Sequence, residues 1–278
     1  MTTQALHHEL AVATELARRA GEVLKRFFRQ DDLDVERKQD NEPVTEADRA
    51  SEALVIEGLR RAFPDDVILS EEQADRTSWM TRPRAWLVDP LDGTKDFVGG
   101  REGFSVMIGL LLDYRPVLGV VHQPLTGLTY RASRGAGAFV LRGDEQQPLR
   151  PSTIADPGAT RLVASYSHRG DSINRVKSQL GITDELNVGS VGLKVGLVAR
   201  GDRDLYVNPE GHCRLWDICA PEAILTEAGG RMTDIHGDPL AYDQGGEVRV
   251  LRGIIASNGV CHQAVVDRLA PLFGTPHG

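Results

Sequence analysis

The sequence predicts an α/β protein in two parts, an α+β N-terminal part and an alternating α/β C-terminal part. Two helical periodicities open the chain, over about 4–29 and 45–63. Apolar runs broken by Gly-rich turns then fill 104–141, in the manner of antiparallel strands. From 161 onward strand and helix signals alternate, as they do where helices are layered on a sheet. The polar stretch 142–158, with Pro148, Pro151 and Pro157, is the best boundary and divides the chain into 1–147 and 148–278.

Each element has its own warrant. Leu6, Leu10, Ala13, Leu16, Ala20, Val23, Leu24, Phe27 and Phe28 recur at helical spacing, with one face turned inward. Pro43 marks a boundary after a polar segment, and Thr45 can cap the second helix. Asp48 can reach back to that cap as a short capping box. Val67-Ile68-Leu69 is a strand ending in Ser70-Glu71-Glu72. Ala85-Trp86-Leu87-Val88 is a buried strand, and Pro90, with no N–H to give, is expected to end its ladder. Strands follow at 104–112, 117–122, 128–132 and 138–141. The second part predicts strands at 161–165, 204–207 and 253–257, with a short apolar lead at 186–188. Its helices are predicted at 172–180, 191–200, 215–228 and 260–273, the third stopped by Gly229-Gly230.

Composition narrows the function. The chain has 278 residues and a net charge of −8, which argues against a nonspecific grip on nucleic acid polymers. Its three cysteines, Cys213, Cys219 and Cys261, form no C-x-x-C, so neither a disulfide framework nor a zinc site is signalled. His7, His8 and Glu9 interrupt any secretory core, and no apolar run reaches membrane-spanning length. The expectation is a soluble cytoplasmic protein with no integral membrane segment.

The chemistry gathers at element ends. Asp89-Pro90-Leu91-Asp92-Gly93-Thr94 places two carboxylates where a buried strand leaves the core. Mg²⁺ takes oxygen ligands of this kind, together with substrate phosphate. Backbone N–H groups at Gly93 and Thr94 offer a seat for phosphate. Ordinary turn chemistry also accounts for Asp-Pro and Asp-Gly, and adjacent glutamates are usually a solvated surface. Asp217 at a helix start is equally open to a capping role. Converged, however, Asp48, Glu71, Glu72, Asp89, Asp92 and Asp217 would repel one another without cations. Two or three Mg²⁺ ions are their natural partner, and hydrolysis of a small phosphate ester the natural reaction.

These residues, in order, resemble the D…EE…DP(I/L)DGT…WD…GG signature of the inositol monophosphatase superfamily, Mg²⁺-dependent and lithium-sensitive phosphomonoesterases. The matched motifs span 48 to 230. The resemblance implies a layered αβαβα sandwich. It implies Glu71, Asp89, the Leu91 carbonyl, Asp92 and Asp217 as metal ligands, and Glu72 as the residue orienting water. It implies Thr94 and Asp48 as the water-activating pair, the Gly93 and Thr94 amides as the phosphate seat, and a homodimer as the common family state.

Trp216-Asp217-Ile218-Cys219-Ala220-Pro221-Glu222, among other segments, is similar to the 3′(2′),5′-bisphosphate nucleotidase branch. That likeness implies removal of the 3′-phosphate of adenosine 3′,5′-bisphosphate. Ser167, His168, Ser190, Lys194 and Arg214 are then substrate-side candidates, the two cations suiting a second phosphate. The chain departs from that branch at Pro209-Glu210-Gly211-His212-Cys213. An inositol monophosphatase or broad sugar phosphatase is the nearest alternative. A non-catalytic metal or ligand sensor is an alternative of another class, though it would have no use for a Thr94–Asp48 pair.

Overall fold

The computed structural model describes residues 6–29, 35–37, 43–73, 79, 82–166, 170–211, 213–243 and 245–274. Helices α1 (His7–Phe27) and α2 (Glu46–Ala62) open the chain. Between them β1 (Val35–Arg37) and β2 (Pro43–Thr45) pair as an antiparallel ribbon.

A seven-stranded sheet follows in sequence order: β3 (Val67–Ser70), β4 (Arg84–Asp92), β5 (Ser105–Leu112), β6 (Arg115–Gln123), β7 (Leu128–Ser133), β8 (Gly137–Arg142) and β9 (Glu145–Pro148). Only β3 and β4 run parallel; the rest form an antiparallel meander. A five-residue helix, α3 (Thr94–Val98), leaves the end of β4.

The second sheet contains β10 (Leu162–Ser165), β11 (Glu185–Val188), β12 (Leu205–Asn208), β13 (Arg231–Thr233) and β14 (Ile254–Ser257), in the order β11-β10-β12-β14-β13. Strand β10 is parallel to both neighbours, while β14 runs antiparallel to β12 and β13. Its helices are α4 (Asp171–Leu180), α5 (Val191–Ala199), α6 (Leu215–Ala228) and α7 (His262–Leu269).

The layers follow from which faces are apolar. α1 and α2 bury Leu16, Leu24, Val55 and Leu59 against Trp86, Ile108 and Val120 of the large sheet. α5 and α6 lie between the two sheets, where Val195, Trp216 and Ile224 share one core with Met107, Val121, Val163 and Ile254. α4 and α7 cover the outer face of the small sheet through Ile173, Val176, Val265 and Leu269. The result is the αβαβα sandwich that the family resemblance implies.

A pair of glycines sets the depth at which α6 sits. Gly109 and Gly119 face each other across β5 and β6. A Cβ at Gly109 would meet the Cys219 Sγ at 2.5 Å, and one at Gly119 would meet the Ala220 carbonyl oxygen at 2.1 Å. Their missing side chains let α6, and with it Asp217, approach the large sheet.

Several local expectations are corrected. Pro90 does not end β4. The strand runs on to Asp92 through a bulge, with Asp89 opposite Met107 and Asp92 opposite Ser105. Pro90 lacks a donor, but a bulge tolerates that loss. The last helix stops at Leu269 rather than 273, since Pro271 turns the chain into a 3₁₀ segment, Ala270–Leu272. The polar 142–158 stretch contains the edge strand β9, all four of whose residues are exposed.

Candidate active site

One pocket collects the ends of elements from both sheets. Glu71 comes from the end of β3, and Asp89, Leu91 and Asp92 from β4. Gly93, Thr94 and Lys95 come from the start of α3. Ser165, Gly189 and Asn208 come from the C-terminal ends of β10, β11 and β12 or just past them, and Asp217 from the first turn of α6. A crevice outside the carboxyl ends of parallel strands is where α/β sheets ordinarily take ligands.

The bulge in β4 explains how Asp89 and Asp92 share this pocket. Side chains three apart on a regular strand point to opposite faces. One extra residue between the two restores them to one face. The Ser51 hydroxyl donates to the Pro90 carbonyl at 2.8 Å, which ties the bulge to α2. Gly93 then turns the chain at φ 94°, where a Cβ would lie 2.6 Å from the Gly103 carbonyl. No other residue fits that turn without strain.

Asp48 has two duties. Its Oδ2 accepts from the Thr45 amide at 2.8 Å and the Thr45 hydroxyl at 2.6 Å, and its own amide donates to the Thr45 hydroxyl oxygen at 3.4 Å, which completes the capping box of α2. Its Oδ1 lies 3.4 Å from the Thr94 hydroxyl, which also donates to the Leu91 carbonyl at 3.0 Å. The structural and the chemical readings of Asp48 are therefore served by different oxygens. Asp217 is the third residue of α6 rather than its cap, and its Oδ2 accepts from the Arg214 amide at 2.8 Å.

Electrostatics mark the pocket as strained by like charge. Burial pushes Asp89 well above the usual carboxylate range, and Glu71, Asp92 and Asp217 push it further. Burial raises Asp92 as well, opposed by Lys194, the Ser190 hydroxyl and the Gly192 amide. Lys194 is 1% exposed, and burial lowers its pKa against the pull of Asp92. An all-oxygen donor set under mutual repulsion fits a hard divalent cation. Among the described residues no three His, Cys, Asp or Glu side chains already close on one point; the acids line the pocket without forming a cage.

The remaining expected residues fall as follows. Glu72 is held near the end of β3, its amide donating to Glu52 at 3.2 Å, and it does not line the pocket. Ser190 has no exposed surface; its hydroxyl donates to Asp92, stands 2.8 Å from the Ser105 hydroxyl and caps α5 by accepting from Leu193. Lys194 reaches the pocket wall but directs Nζ to the carbonyls of Val188 and Gly189 and lies over the Tyr206 ring. Arg214 lines the pocket. Ser167 and His168 lie outside the described residues.

Sequence reasoning missed Ser51, Glu52 and Ser105. The first two carried a usable signal. They stand three and four residues after Asp48, on the same face of α2, and Glu52 accepts from both Ser70 and Glu72. Ser105 is visible only through its pairing with Asp92. Lys95 and Glu210 also line the pocket.

The inositol monophosphatase family model matches residues 5–270 of the chain. The 3′(2′),5′-bisphosphate nucleotidase CysQ of Aggregatibacter actinomycetemcomitans is 36% identical over 243 residues, 85% of this chain and 88% of its own. The histidinol-phosphatase of Mycobacterium tuberculosis is 36% identical over 267 residues, 95% of this chain and 98% of its own. An IMPase of Thermotoga maritima has the same fold at a TM-score of 0.81 and 29% identity, covering 95% of this chain and 98% of that one.

Proposed function

The chain belongs to the inositol monophosphatase family and is a phosphatase of that family; from this premise we propose that it is a cytoplasmic, Mg²⁺-dependent 3′(2′),5′-bisphosphate nucleotidase. It would hydrolyse the 3′-phosphate of adenosine 3′,5′-bisphosphate. The observation that carries the reading is the convergence of Glu71, Asp89, Asp92 and Asp217 on one pocket beside the Thr94–Asp48 contact. The nucleotidase relatives, at 34–38% identity, support the choice of substrate.

Glu71, Asp89, the Leu91 carbonyl, Asp92 and Asp217 would hold two or three Mg²⁺ ions. Bound there, Mg²⁺ lowers the pKa of water and offsets charge on the phosphoryl oxygens. The Gly93 and Thr94 amides would seat the phosphate. The Thr94 hydroxyl is too weak an acid to be a base alone. With its one proton turned from the Leu91 carbonyl to Asp48, its oxygen can accept a hydrogen bond from the attacking water, and Asp48 can receive the proton. Glu72, set back from the pocket lining, would orient that water indirectly, and Lys194 would favour the ionised form of Asp92 through its charge. Arg214 would face the second phosphate.

A specific observation favours a second reading, a monophosphate whose alcohol part is cationic, such as histidinol phosphate. Glu210 lines the same pocket. A carboxylate there suits an amine or imidazolium and disfavours a second phosphate. The histidinol-phosphatase relative also covers more of the chain.

Phosphate release with and without Mg²⁺, on adenosine 3′,5′-bisphosphate, histidinol phosphate and inositol 1-phosphate at matched sub-saturating concentrations, gives the ratio of kcat/KM values. A strong preference for the bisphosphate is the expected result. Preference for histidinol phosphate refutes the first reading in favour of the second, and activity without a divalent cation refutes both.

A further inference from the structure

Beyond the carboxylates, one aromatic ring stands at the end of a pocket strand. Tyr166 directly follows β10, whose last residue, Ser165, lines the pocket. Tyr166 is 56% exposed and stands outside the pocket lining itself, and yet its ring is held. The Arg101 guanidinium lies over it, 4.7 Å from the centroid. Arg101 in turn donates through Nε to Asp96 at 2.8 Å and through a terminal nitrogen to the Lys95 carbonyl at 3.2 Å.

Asp96 is 3% exposed and wedged against two glycines. A Cβ at Gly103 or Gly189 would come within 2.4 or 2.0 Å of its Oδ2. Gly189 and Lys95 both belong to the pocket wall. A chain of contacts thus runs from that wall through Asp96 and Arg101 to the ring of Tyr166. An exposed cation–π contact contributes only about 0.5–1 kcal/mol, so stability alone gives little reason to anchor a solvent-facing ring this firmly.

We infer that Tyr166, positioned by Asp96 and Arg101, is a stacking platform for a planar ring in the alcohol part of the substrate. An aromatic face takes a nucleobase or an imidazole without reading its hydrogen-bonding edge. Arg101 on one face leaves the other for the ligand, and a ring laid there removes exposed apolar surface from water. The inference rests on the proposed function for the position of the phosphate, but not for the identity of the ring.

The test is the kinetics of the wild type, Tyr166→Ala and Tyr166→Phe on adenosine 3′,5′-bisphosphate, histidinol phosphate and the ring-free ester glycerol 2-phosphate. In Tyr166→Ala, KM for the ring-bearing ester that the wild type turns over rises roughly tenfold with kcat nearly unchanged. KM for glycerol 2-phosphate stays at its wild-type value. Tyr166→Phe behaves as the wild type, since the ring and not the hydroxyl does the stacking. An unchanged KM in Tyr166→Ala, or an equal rise for the ring-free ester, overturns the inference. Turnover of histidinol phosphate alone, with the Tyr166 dependence intact, overturns the nucleotidase reading and keeps the platform. Turnover of the bisphosphate with no Tyr166 dependence does the reverse. A wild type that prefers glycerol 2-phosphate overturns both.

Discussion

Glu222 makes stability fall with rising pH in a way that one substitution removes. Its carboxylate accepts from the Tyr242 hydroxyl at 2.6 Å, and Tyr242 is 1% exposed. Burial raises the pKa of Glu222 from 4.5 to about 7, against the lowering effects of the Tyr242 bond and Arg115. Below pH 4.5 the folded and unfolded chains both hold the proton, and there is no penalty. Between 4.5 and about 7 the unfolded chain releases it while the folded chain keeps it, so stability drops as pH rises. Above about 7 the folded chain carries a buried charge and the full penalty applies. At 1.36 kcal/mol per pH unit this gap comes to ~3 kcal/mol, and the partial exposure of Glu222 reduces it to about 2 kcal/mol. Glu222→Gln keeps an acceptor for Tyr242 and carries no charge. In urea titrations with matched m-values the variant should equal the wild type at pH 4.5 and exceed it by about 2 kcal/mol at pH 8. A stability difference that does not change between these pH values, or a variant weaker than the wild type at pH 8, would refute the assignment of the penalty to this carboxyl.

Two further outcomes test the site and its support. Thr94→Ala and Asp48→Asn should each lower kcat by roughly 10²–10⁴-fold, the range of general acid–base catalysis. Asp48→Asn keeps a side-chain oxygen for the Thr45 donors and should hold near wild-type stability, whereas Asp48→Ala should cost about 1 kcal/mol by opening the α2 cap; wild-type turnover by Thr94→Ala removes it from the proposed pair. Gly119→Ala drives a Cβ to 2.1 Å from the backbone oxygen of Ala220, and so should cost about 1–3 kcal/mol and raise the Mg²⁺ concentration needed for activity by shifting α6. A thermal melt and a Mg²⁺ activation curve read both effects, and a variant with wild-type values in each shows that α6 does not depend on the glycine groove.

Much of this arrangement is legible in the sequence because its chemistry is carried by short, ordered motifs. Asp89 to Thr94 are contiguous, and Glu71 and Asp217 stand at strand and helix ends that periodicity locates well. What escapes is whatever depends on partners distant in sequence. The β4 bulge is invisible because Pro90 reads as a terminator, and the Ser51 bond that ties it down spans 39 residues. Strand β9 has only exposed polar residues and proline, so it shows no alternation to detect. Strand β13 has three residues and α3 five, both too short for a period to emerge. Ser190 and Lys194 are visible as polar residues at the cap of α5 and within it, but only the packing of α5 behind Asp92 turns them inward.

The anchoring of the acids ties the fold to the proposed chemistry. Asp89 is fixed through Oδ1 by the Leu91 amide, Asp92 through Oδ2 by Ser190 and Gly192, and Asp217 through Oδ2 by the Arg214 amide. Each bond orients a carboxylate through one named oxygen, and all but the one from the Ser190 hydroxyl come from backbone amides. Such bonds lower a carboxylate's pKa, yet Asp89 and Asp92 remain raised, since burial outweighs them. Lys194 offsets part of this at Asp92, whereas the strongest charge effects on Asp89 come from three other acids. A fold that used these groups only as caps and turn formers would have no reason to bring four of them together from β3, β4 and α6. Their convergence costs stability that the hydrogen bonds do not return, and a divalent cation would return it. On this argument, removing one acid by an amide substitution should stabilise the protein without Mg²⁺ and destabilise it relative to the wild type when Mg²⁺ is saturating.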